Sequence, residues 1–127
     1  MKRLLLILAL AAMAILPAAA QKKAKFEFKE DRHNFGVFQR KDATQHCTFE
    51  FKNVGDAPLT IQRMTATCTC VEMEGPKKPV QPGKKGVIKV TYHGEKKQAG
   101  PFHKMITIIS NAEQDLYRLH VEGKMEE

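Results

Sequence analysis

Thr67-Cys68-Thr69-Cys70 sets two thiols one residue apart. Thiols at that spacing can form a disulfide, hold a soft metal or exchange with a partner's thiol. Cys47 is a third, and an odd count leaves at least one thiol outside any intrachain pairing. In a structural reading Cys47 pairs with Cys68 or Cys70, a bridge that typically contributes about 2–4 kcal/mol. A bond between Cys68 and Cys70 instead closes a small ring outside the favoured geometry, and strain makes a disulfide easier to reduce. Exchange at the Cys68/Cys70 turn follows from that strain, although no Cys-x-x-Cys opens a helix to lower a thiol pKa. The metal reading gathers Met64, Cys68, Cys70 and Met73, because thiolate and thioether ligands favour Cu(I). Met64, Cys68 and Cys70 share strand parity and converge if the strand stays regular, with Met73 returning across the turn before Gly75. A tetrahedral zinc site lacks its second Cys or His pair.

Other chemistry is sparse. Beyond the N-terminal apolar run the only serine is Ser110, with no Gly-x-Ser-x-Gly elbow and no base beside it. His46 adjoins Cys47, but neighbours in a strand point to opposite faces, so they make no nucleophile–base pair. His33, His93, His103 and His120 read as surface histidines. No Gly-rich phosphate loop precedes a helix. The expectation is a protein that is not an enzyme and holds no cofactor unless copper sits at the Cys-x-Cys turn.

The compartment decides what thiols do. Met1-Lys2-Arg3 is a short cationic start, Leu4 to Leu16 is apolar and uncharged, Pro17 breaks it, and Ala18-Ala19-Ala20 offers a small-residue cleavage site before Gln21. The run is short for a membrane span, which needs roughly 20 residues. Residues 1–20 are therefore expected to be a cleavable signal peptide, and the product to be periplasmic or secreted rather than permanently in the membrane. Loss of Lys2 and Arg3 takes Lys+Arg from 21 to 19 against 14 Asp+Glu, a net charge of +5. The lysines fall in scattered doublets at turns and termini, with no Arg-rich stripe interleaved with aromatics, which argues against nucleic acid.

The elements that must position these residues are strands. Lys25-Phe26-Glu27-Phe28-Lys29 alternates polar and apolar; Asn34 to Phe38 is short, with Gly36 marking a bulge. In His46 to Lys52, Cys47, Phe49 and Phe51 face one way. Asn53-Val54-Gly55-Asp56-Ala57-Pro58 is a turn cluster. Ile88, Val90 and Tyr92 share a face, as do Ile106 with Ile108 and Tyr117 with Leu119 and Val121. About seven strands at this spacing predict an all-β fold, an immunoglobulin-like β-sandwich. The expected layout is a first strand or arm over 21–29, the sandwich over 30–124 and a tail at 125–127.

Phe35-Gly36-Val37, then Phe49 through Leu59, the paired cysteines, Gln81-Pro82-Gly83 and Ser110-Asn111 carry a resemblance. The chain resembles the bacterial domain-of-unknown-function family 1573, small exported proteins, over about residues 30–123. The resemblance implies an immunoglobulin-like sandwich akin to PapD-type chaperones and the major sperm protein, and no established activity. The family commonly has Gly between the thiols; here Thr69 stands there. The functional expectation is an exported, non-catalytic binding or structural module of the bacterial cell envelope with an unidentified protein or envelope partner. A periplasmic Cu(I)-binding protein using Met64, Cys68, Cys70 and Met73, and thiol exchange at Cys68/Cys70, are the alternatives.

Overall fold

The computed structural model describes residues 22–127; the expected signal peptide lies outside the described residues. Eight strands follow in order: β1 Phe26–Phe28, β2 Arg32–Gln39, β3 Thr44–Asn53, β4 Ile61–Ala66, β5 Val71–Glu74, β6 Lys85–His93, β7 Gly100–Ser110 and β8 Leu116–Glu126. They build two four-stranded sheets, β1-β3-β6-β5 and β2-β8-β7-β4. Every pairing is antiparallel except β2 with β8. Among the described residues no helix is long and apolar enough to cross a membrane.

The all-β sandwich expected from the alternation is what forms, and the period-two pattern accounts for its core. Phe49, Phe51, Ile88 and Val90 of one sheet face Ile106, Ile108, Leu119 and Val121 of the other, all at most 2% exposed. Full burial of each such side chain contributes on the order of 1.5–3 kcal/mol. Aromatics close both ends. Tyr92 stacks on Phe102 with centroids 4.1 Å apart, and Phe26, Phe28, Phe51 and Tyr117 cluster at the other end. The expected bulge is present: β2 slips register between Asn34 and Val37, where Gly36 has φ +72.

The count is eight strands rather than about seven, because Val71–Glu74 forms a short strand of its own beside β6. The last strand also outruns the expected tail. β8 continues to Glu126 because Met125 points inward, at 1% exposure, and pairs with Gly100.

The turn cluster after β3 is a junction. Asn53 is completely buried, and its side chain makes four hydrogen bonds. Its Oδ1 accepts from the Lys25 and Gly55 amides at 3.2 and 3.0 Å. Its Nδ2 donates to the Ala57 and Val80 carbonyls at 2.8 and 2.9 Å. Asp56 receives the Lys23 amide at 2.7 Å, and its own amide donates to the Lys23 carbonyl. The N-terminal segment passes so close to Gly55 that a Cβ there would overlap the backbone of Lys23, Ala24 and Lys25.

Candidate functional site: the Cys-Thr-Cys crossover

β4 pairs with β7 as far as Ala66 and Ile106. Thr67 keeps a last hold on β7: its amide donates to the Met105 carbonyl at 3.1 Å and its hydroxyl accepts from the Met105 amide at 3.2 Å. The chain then leaves this sheet for the other. Val71 donates its amide to the Cys68 carbonyl at 3.2 Å, closing a four-residue turn, and the Cys70 carbonyl accepts from His93 at 2.7 Å, which starts the pairing of β5 with β6. Cys68 and Cys70 are disulfide-bonded across this turn, with Cα atoms 5.1 Å apart. The Cys70 amide points at Cys68 Sγ, 3.2 Å away. Cys70 is buried and Cys68 half-buried. No non-glycine residue among those described has positive φ, so Thr69 turns here without the conformation that glycine would supply.

Beside the turn, Thr69, Cys70, His93, Glu95, Lys96 and Lys97 line an open cleft of about 540 Å³. His93 Nε2 lies 3.0 Å from Glu72 Oε2 and its Nδ1 lies 3.9 Å from Glu95 Oε1. The Thr44 hydroxyl donates to Glu95. That bond, with Glu95's own amide and the neighbouring His93, holds the Glu95 carboxyl below its ordinary pKa. The cleft is open and its lining is mostly apolar, with Glu95, Lys96 and Lys97 among the residues around it, and its one sulfur, that of Cys70, is bonded to Cys68.

The crossover separates the other residues singled out for chemistry. Of the pairings open in the sequence, the structure holds Cys68 with Cys70, and Cys47 is free. Cys47 sits opposite Val90, which sits opposite Met73, so Cys47 and Met73 are two strands or roughly 10 Å apart. Cys70 is farther along the sheet again, beyond the roughly 7 Å Cα reach of a disulfide. Burial pushes the Cys47 thiol up to about 11, so it behaves as a small packing residue. The shared parity expected for Met64, Cys68 and Cys70 ends at Ala66, where the strand stops and the turn begins. The Met64 thioether lies against Gly75, at the far end of β5 from Cys70, a strand length of roughly 16 Å. The structure thus joins Cys68 to Cys70 and leaves Met64 apart from them.

The sequence model of a family described as a protein of unknown function, DUF1573, matches residues 26–125. The chain belongs to this family. No curated protein matches the sequence. Among solved structures, a protein of unknown function from Porphyromonas gingivalis W83 is similar with a TM-score of 0.71 at 20% identity, over 87% of this chain and 50% of that one. This DUF1573 chain therefore spans half the length of that relative. The ASH/PapD-like domain 7 of human CEP192 is similar with a TM-score of 0.67 at 10% identity, over 89% of this chain and 93% of that one. The periplasmic chaperone SfaE follows with 0.52 at 6% identity, over 80% and 57%. At these identities the likeness is one of fold, and the fold is PapD-like.

The hydrogen bonds give the Asn53–Leu59 stretch a physical meaning that reading it as a turn missed. Asn53 anchors, Gly55 leaves room for the N-terminal segment, Asp56 pins it, and Leu59, 1% exposed, bridges to Val80. The available signal was Asn53's parity: Phe49, Phe51 and Asn53 share the inward face, and a buried amide must be hydrogen-bonded.

Proposed function

We propose that the chain is an exported, non-catalytic binding or structural module of the bacterial cell envelope, and that it takes a protein partner along the β4–β5 flank. The observation that carries this reading is the flank itself. β4 is the margin of one sheet and β5 the margin of the other, consecutive in the chain and joined by the bridged turn. Edge strands offer unpaired N–H and C=O groups, and a partner's extended segment adds to such an edge through main-chain hydrogen bonds. Gln62, Arg63, Thr65, Glu72 and Glu74 keep the flank polar, which disfavours indiscriminate edge-to-edge pairing. A PapD-like fold in a family without assigned activity supports a non-enzymatic role. Fold alone does not name the partner, since one scaffold hosts many functions. Export with removal of residues 1–20 belongs to the same proposal.

The test is site-specific photo-crosslinking in cells, with the photoreactive residue at Arg63 or Glu72 on the flank and at Glu50 on an outer face as control. Discrete adducts at the first two positions and none at the third are expected, with the intact mass starting at Gln21. Equal labelling at all three positions, or no adduct at any, defeats the flank reading. A mass starting at Met1 defeats export.

A further inference from the structure

The β7–β8 hairpin places Met105 opposite His120 and His103 opposite Glu122. These four outward side chains form a quadrilateral on the face away from the core. His103 Nε2 and His120 Nδ1, on its diagonal, lie 3.0 Å apart, and the rings stack with centroids 5.1 Å apart at 20°. Two nitrogens held by one ion at about 2.0–2.1 Å in tetrahedral geometry are about 3.3 Å apart. Small rotations of two surface rings therefore separate the present contact from a chelate. From the geometry of these paired imidazoles, we propose that His103 and His120 form a surface site for a divalent transition-metal ion, with Cu²⁺ bound more tightly than Zn²⁺.

Imidazole suits both ions, and affinity for a given nitrogen site rises to Cu²⁺ and falls at Zn²⁺. The Met105 thioether and the Glu122 carboxylate flank the pair at adjoining positions of the ladder, and Glu122 is turned toward Arg32 at 3.6 Å. Two protein ligands leave the remaining coordination positions to solvent or to a partner. The site lies on β7 and β8, apart from Met64 and the bonded Cys68 and Cys70. The individual histidines looked ordinary in sequence. The signal was joint: a hairpin turn at Asn111–Asp115 fixes the register that makes His103 and His120 diagonal neighbours.

Untagged protein titrated calorimetrically with Cu²⁺ should bind one ion, and His103→Gln or His120→Gln should each weaken binding by more than about tenfold, or 1.4 kcal/mol. Cys47→Ser should bind as the parent does. Zn²⁺ should bind the parent more weakly than Cu²⁺. Because the glutamine variants could in principle disturb the hairpin, proton NMR of the parent is the second measurement. Substoichiometric Cu²⁺ should broaden the ring signals of His103 and His120 before those of His33, His46 and His93. Parent-like affinity in both glutamine variants, no binding by the parent, or uniform broadening of all five histidines overturns the proposal.

Discussion

Asn53→Ala is a demanding perturbation, because Asn53 is the most completely buried polar residue among those described. Four side-chain hydrogen bonds disappear at a position with no solvent exposure, and they join three separate stretches of chain: Lys25, the Gly55–Ala57 turn and Val80. A net contribution of about 1 kcal/mol per bond gives a loss of about 4 kcal/mol. Domains of this size have roughly 5–15 kcal/mol in total, so the variant should remain folded with about a quarter or more of its stability gone. In urea, with a slope of about 2 kcal/mol/M, the midpoint should fall by about 2 M. Asn53→Asp sharpens the test because it keeps the size and both acceptor bonds while aiming an oxygen at the Ala57 and Val80 carbonyls. A buried carboxyl in that place favours its protonated form, so its folded pKa lies above the unfolded value. Stability of the aspartate variant should therefore be best at low pH and fall as pH rises past the unfolded carboxylate range near 4. A midpoint shift below about 0.5 M in the alanine variant, or an aspartate variant with flat pH dependence, would refute the junction role.

Reducing the Cys68–Cys70 bond, or replacing both by alanine, releases a loop of only residues 68–70. Loop entropy then gives about 1.6 kcal/mol, and calorimetry should show Tm falling by roughly 7 °C with the domain still folded; outright unfolding would contradict this. Gly55→Ala should force the N-terminal segment off the turn at a cost of about 1–3 kcal/mol, seen as faster tryptic cleavage at Lys23 and Lys25; unchanged cleavage would count against it. Cys47 should be alkylated slowly at neutral pH, its rate climbing about tenfold per pH unit toward about 11, whereas a plateau near 8.5 would show an unshifted thiol. The same shift has a sign for stability: the raised folded pKa favours the native state below the unfolded thiol pKa of about 8.5, and that contribution is lost as pH rises from there through about 11.

What was legible in the sequence is what depends on local alternation. Phe49 and Phe51, Ile88 and Val90, and Leu119 and Val121 each declare an inward face two residues apart, and the burial follows that parity. Parity stops being informative where the chain changes sheets. Met64, Cys68 and Cys70 look aligned only if β4 continues, and nothing between them says that it ends at Ala66. β5 escaped notice because four residues between a turn and Gly75-Pro76 are too few to show a period. The Asn53 junction and the His103–His120 contact depend on partners far away in the chain, which only strand register brings together.

The bridged turn is therefore better understood by its position than by its chemistry. A disulfide closing three residues constrains little of the unfolded chain, so it is a weak global staple. Its local consequence is larger. It holds the point at which the chain stops pairing with β7 and starts pairing with β6, between the Thr67 bonds to Met105 and the Cys70 bond to His93. Two sheet margins are thereby held in fixed relation on one flank, with β4 on one side of the crossover and β5 on the other. A partner strand meeting that flank would meet backbone whose register is already set, which lowers the ordering cost of binding. On this reading the thiols contribute to recognition by fixing backbone, while their sulfurs remain bonded to each other.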